Sequence, residues 1–131
     1  MPIKKNASRQ ELIVANLTIN FNDPVIGTAE NAIDLPGNAV VVGGDIVVTT
    51  PWNNVTTAAL SLGDAAVATR YANAVDLKTA GRTALTVTGF RHAVAESLKS
   101  LVAQTGTAPT AGSARVTLQY YVIGRSGFSQ G

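Results

Sequence analysis

The chain has no cysteine among its 131 residues, which excludes a disulfide framework and any thiolate metal site. It has one histidine, too few for a multi-histidine metal centre or for a nucleophile, base and orienter chosen among several candidates. Aromatic residues make up only 5% and charged residues 14%. A platform for stacking sugars or bases needs more of the first, and a face that tracks phosphates needs more of the second. No apolar run approaches the roughly 20 residues of a membrane-spanning helix. The first ten residues, MPIKKNASRQ, carry cations but no apolar stretch followed by a small-residue cleavage site, so no secretory signal is read and synthesis in the cytoplasm is expected. The sequons at Asn6, Asn16 and Asn54 then carry no weight.

What is present is a hydrophobic fraction of 46%, supplied mostly by Val, Ile, Leu and Ala. A chain of this length fits one domain, burying about two thirds of its unfolded surface. Net charge is +2, and Lys4, Lys5 and Arg9 all precede the first acidic residue, Glu11. The basic excess therefore sits at one tip. The expected organisation is a flexible arm over 1–10, one β-rich domain over 11–124 and a small, polar, fraying tail over 125–131. The arm reads either as a solvated terminus or as a segment that docks on an acidic neighbouring surface.

Periodicity points to strands. Over 11–21, Ile13, Ala15, Leu17, Ile19 and Phe21 alternate with polar residues, which places one face against a core. Asp23-Pro24 ends this strand, and a short extended piece over 31–35 is closed by the turn signal Pro36-Gly37. Residues 39–50 read as AVVV and DIVVTT around Gly43-Gly44, where a bulge or bend is expected. Trp52 is expected as an anchor at the rim of the core. A short strand follows over 58–62, and 83–88 alternates again with Leu85 and Val87 on one side. The alanines of 72–80 are compatible with a short helix, as is 91–103, where Val94, Leu98 and Leu101 recur at helical spacing. After the turn signal APTAG, residues 114–123 alternate cleanly, and a hairpin-like pair is expected to close the domain. Seven or eight short strands with regular turn signals predict an all-β fold, an antiparallel β-sandwich or jelly roll. With so few charges to blunt its edges, such a domain is expected to cover them by self-association.

Features that could be mistaken for chemistry have simpler readings. Gly43-Gly44 runs into a β-branched segment, whereas a phosphate cradle leads into a helix N-terminus. Asp23, Glu30, Asp34, Asp45, Asp64, Asp76 and Glu96 are scattered singly, without the spacing of a calcium loop. A pair of carboxylates meeting in space for glycoside hydrolysis lacks aromatic subsites beside it. His92 is expected at a surface or packing position. No catalytic residue, cofactor or metal is assigned.

The ordered pieces LPGNAVVVGGDIVVTT, LSLGD, RYANAVDLKTAGRTALTVTG and GTAPTAGSARVTLQYYVIGR, spanning 32–124, resemble a family of small virion proteins of tailed bacteriophages, the capsid decoration or cement proteins. The resemblance implies a β-rich, non-enzymatic protein on the capsid surface that stabilises the expanded shell. It implies the major capsid protein as partner and a homotrimer; nucleic acid is not expected as a ligand because the basic charge is confined to the tip, nor a membrane because no apolar run is long enough. It further implies a strand over about 96–104. Candidate capsid contacts are Lys4, Lys5 and Arg9, together with Ile13, Ala15, Leu17, Ile19 and Phe21 if their strand adds to a neighbour's sheet edge. Alternatives are a tail, neck or head-fibre component and, from another class, a jelly-roll carbohydrate-binding module.

Overall fold

A computed structural model of the chain describes Ile3, Lys5, residues 8–125 and 128–129. Among these residues eleven strands occur, in the order β1 (Ser8–Arg9), β2 (Ile13–Asn20), β3 (Glu30–Leu35), β4 (Ala39–Thr50), β5 (Thr57–Gly63), β6 (Ala72–Asp76), β7 (Gly81–Ala84), β8 (Arg91–His92), β9 (Glu96–Thr105), β10 (Ser113–Val122) and β11 (Phe128–Ser129). Among the described residues there is no helix.

The alternating segments become the two faces of a sandwich. One sheet runs β2-β10-β4-β7, with β8 also on β4, and the other runs β3-β9-β5-β6. Counting only the eight longer strands, the orders are first, eighth, third, sixth and second, seventh, fourth, fifth. This nested antiparallel arrangement is a jelly roll. Ile46, Val116 and Leu118 of the first sheet and Leu60, Leu62, Leu98 and Val102 of the second are buried between the layers. The core is therefore aliphatic, as the composition requires. Trp52, 1% exposed, is fully interior at its edge, and its backbone N–H donates to the Leu77 carbonyl at 2.9 Å.

Three expectations are corrected. The first is helix in 72–80 or 91–103. In the former, β6 pairs with β5; Ala74 adopts φ 50°, and the Asp76 carboxylate accepts from the Lys78 N–H and the Thr79 hydroxyl, both at 2.9 Å. These local bonds close a turn where a helix would have to continue. In the latter, β9 lies between β3 and β5, and two ladders outweigh a helical spacing of three apolar residues. Leu98 and Val102 point inward while Val94 is 67% exposed.

Second, β9 and β10 are not a hairpin. The turn after β9 carries the chain from one sheet to the other, where β10 pairs with β2 and β4. Asn53 holds that turn: its amide donates to the Thr110 hydroxyl at 2.8 Å, and its oxygen accepts from the backbone N–H groups of Thr110 at 2.7 Å and Ala111 at 3.2 Å. Asn53→Ala is expected to cost about 1–2 kcal/mol, the net value of an exposed three-bond cluster, measurable by urea denaturation. A change below a few tenths of a kcal/mol would mean that water replaces the amide without loss. Third, the ladder on β4 stops at Ala84, so Leu85 is buried whereas Val87 is 40% exposed.

The glycine pair behaves as expected. Opposite β10, Gln119 pairs with Gly43 and Tyr120 with Val41, so the register shifts at this point. At the ends of the chain, β1 pairs antiparallel with β11. Between them Gln10 stands in for a strand neighbour: its amide donates to the carbonyls of Val122 at 2.6 Å and Arg125 at 2.8 Å, and its oxygen accepts from the Val122 N–H at 3.0 Å.

Candidate functional site

The residues proposed as contacts separate into two sets. Lys4 lies outside the described residues. Lys5 is exposed, and Arg9 is exposed on β1. On β2, alternation turns Ile13, Ala15, Leu17 and Ile19 toward the sandwich; Phe21 follows it, and all five pack on the core. Of these, only Ile19 is fully buried, and the other four remain half-exposed. Their partial burial follows from position: among the described residues β2 is an edge strand, bonded to β10 alone. What this strand offers a neighbour is therefore its backbone edge and the margins of its inward side chains, beside a cleft of about 190 Å³ lined in part by Leu17, Ile19 and Ala32.

A second constellation was not visible in the chain order. The loop after β5 brings Asp64 and Arg70 against His92 of β8 and Glu96 of β9. Asp64, 2% exposed, accepts from the backbone N–H groups of Ala66 at 3.1 Å and Val67 at 2.7 Å and from Arg70 Nε at 2.5 Å. His92 is equally buried; its Nδ1 lies 2.8 Å from Glu96 Oε1 and 3.9 Å from Asp64 Oδ2. Its Nε2 lies 2.6 Å from the Tyr71 hydroxyl. In the neutral ring, Nδ1–H donates to Glu96 and Nε2 accepts from Tyr71. Phe90 closes the cluster, edge-on to His92 at 5.0 Å and with the Arg70 guanidinium 3.5 Å above its ring centre.

Asp64, His92 and Glu96 place one ligand atom each within 4.8 Å of one another, the geometry from which a metal site could be built. The charge pattern argues otherwise. Arg70 already neutralises Asp64 and would repel a cation, so the cluster is better described as a polar staple between the loop after β5 and the ends of β8 and β9. Two groups show its electrostatics. Burial pushes the Asp64 carboxyl up, but the Arg70 guanidinium and the Val67 N–H outweigh it and hold the pKa below its ordinary value. Burial raises the Tyr71 phenol to about 12; Arg70 opposes that rise, while Asp64 and Glu96 reinforce it.

The raised phenol has a measurable consequence. The folded state keeps this proton where the unfolded chain has lost it, so stability is complete below the ordinary value of 10 and declines as pH rises toward 12. The expected loss is about 2–3 kcal/mol. Denaturation curves of the chain and of Tyr71→Phe across this range test it; equal alkaline losses in both would assign the decline to another group.

No protein-family model matches this chain, and no curated protein sequence matches it significantly. Solved structures do. A chain of the Cyanophage Pam1 capsid asymmetric unit is 25% identical with a TM-score of 0.66, over 93% of this chain and 91% of its own. A chain from the capsid of Ralstonia phage GP4 is 21% identical with a TM-score of 0.67, over 95% and 91%. One from the acidic stable capsid of Helicobacter pylori bacteriophage KHP30 is 15% identical, again with a TM-score of 0.67, over 92% and 94%. At these identities the likeness is one of fold. Nearly the whole of each chain takes part in it, and the resemblance to small phage structural proteins read from the sequence agrees with an all-β fold shared with phage capsid chains.

Proposed function

We propose that the chain is a non-enzymatic decoration or cement protein of a tailed-phage virion, binding the outer surface of the expanded capsid as a homotrimer. The observation that carries this reading is the near end-to-end match of its jelly roll to chains from three phage capsids. The buried cluster is consistent with it: Asp64, Tyr71 and His92 are turned inward and used for packing, away from any substrate. Trp52 and Tyr71 are each 1% exposed, so neither supplies the open aromatic platform of a carbohydrate-binding module.

The physical rationale is linkage. A protein that binds the assembled lattice and not its free subunits adds its binding free energy to the shell, about 2.7 kcal/mol per site at a hundredfold excess over Kd. Trimerisation would multiply modest contacts through effective concentration. Lys4, Lys5 and Arg9 are the candidate electrostatic contacts, and β2 is the candidate structural one.

The deciding experiment counts this chain in purified virions against the major capsid protein by quantitative mass spectrometry. Hundreds of copies support lattice decoration. A few dozen or fewer would move the chain to the tail, neck or head fibres, and absence would overturn the virion reading.

A further inference from the structure

The four outer strands of the two sheets are not guarded alike. Edge strands invite pairing with other chains, and proteins normally blunt them with charge, proline, bulges or brevity. β3 has Glu30, Asp34 and a register shift near Ala32. β6 has Asp76, a register shift and the left-handed Ala74. β7 is four residues long and carries Arg82. β2, with the sequence IVANLTIN, has eight residues, no charge and no proline, and it pairs with β10 without a register shift.

The free edge of β2 also borders an unfilled space. On β10, Ala114, Val116 and Leu118 are fully buried, while their register partners Ile19, Leu17 and Ala15 grade from buried to half-exposed. The cleft beside Leu17 is lined by the apolar Leu17, Ile19 and Ala32 and by the carboxylates Asp23 and Glu30. Backbone hydrogen bonds hold both carboxylates there: Asp23 accepts from the Asn20 N–H at 2.9 Å, and Glu30 accepts from the Val25 N–H at 2.6 Å. Neither is in an ion pair with another described side chain.

We infer that the free edge of β2 and this cleft together receive an extended segment of the shell protein. The segment adds a strand to β2, sets an apolar side chain over Leu17 and Ala32, and brings a lysine or arginine beside Asp23 and Glu30. This rests on the capsid reading above and names the chemistry of the partner. A second copy joined edge to edge through β2 fits less well, because IVANLTIN brings no cation and would leave both carboxylates unmatched.

Hydrogen–deuterium exchange of the chain, alone and bound to expanded shells prepared without it, tests the inference together with the double variant Asp23→Lys, Glu30→Lys. The expected result is slowed exchange over 13–32 on binding and a loss of shell affinity of at least about tenfold in the variant, read well below a thermal transition that the loss of its two side chain–backbone hydrogen bonds lowers. Binding with protection confined to the termini or to the other strands, or binding insensitive to the charge reversal, would overturn this inference and leave the capsid reading standing. Protection of 13–32 in the isolated chain as its concentration rises would give the edge to a second copy instead. Failure to bind the shells would remove both readings.

Discussion

Asp64→Ala is expected to lower stability by about 3–5 kcal/mol, the range for removing one partner of a buried ion pair. The loss has two sources. Arg70, whose side chain is 14% exposed, would keep its charge in a largely dry site without a counter-ion. The N–H groups of Ala66 and Val67 would lose the oxygen that organises their turn. Asp64→Asn keeps an acceptor for the turn but not the charge, and is expected to fall between the two. Urea denaturation of the three proteins checks the order. A cost below about 1 kcal/mol for the alanine variant would mean that the pair is worth no more than one in open solvent.

The same carboxylate sets a pH dependence with the opposite sign to that of Tyr71. Its folded pKa lies below its ordinary value of 3.8, so the unfolded chain takes up the proton first. The stabilisation is present above that value and is lost as pH falls through the lower, folded pKa. In Asp64→Asn this part of the acid loss should be missing.

The second large effect is at Gly44. Gly44→Ala is expected to cost about 3–5 kcal/mol, combining overpacking of roughly 1–3 kcal/mol with a similar cost for an unfavourable backbone conformation. A Cβ there would lie 2.2 Å from the Thr117 carbonyl oxygen and 2.8 Å from Leu85 Cδ1, at φ +144°. Thr117 belongs to the central ladder between β4 and β10 and cannot move without breaking its register. Gly43→Ala provides the control. Its Cβ meets only the end of the Gln119 side chain, at 3.0 Å, which can swing aside, so less than about 1 kcal/mol is expected. Similar midpoints for the two variants in thermal denaturation would refute the steric argument.

These two sites differ in how well the sequence announces them. A glycine pair within a β-branched run marks a bulge, because the run on either side already declares a strand. In the same way β2, β4 and β10 are legible by alternation. The segment over 91–103 is not: a short apolar run satisfies two periods, and only its neighbours β3 and β5, distant in sequence, decide between them. The polar staple is less legible still. Asp64, Arg70, Tyr71, Phe90, His92 and Glu96 come from loops and strand ends that no period links, and single carboxylates look alike until the topology places two of them around one imidazole. The contact surface occupies a middle position. The pattern shows that β2 has an inward face, but only the sheet order shows that it has a free edge.

The pairing of β1 with β11 gives the polypeptide a single point of departure from the sandwich. Anything fused before Ser8 or after Ser129 would leave the molecule beside this one pair of strands, and a short peptide joining the two strands would turn the chain into a nearly closed loop. New ends opened in the exposed turn at 106–108 would then yield a rearranged gene product with the same eight-stranded body, since surface turns are where such cuts are tolerated. A cargo attached there would leave the molecule by the β9–β10 turn instead, giving a display scaffold two independent exits from one fold.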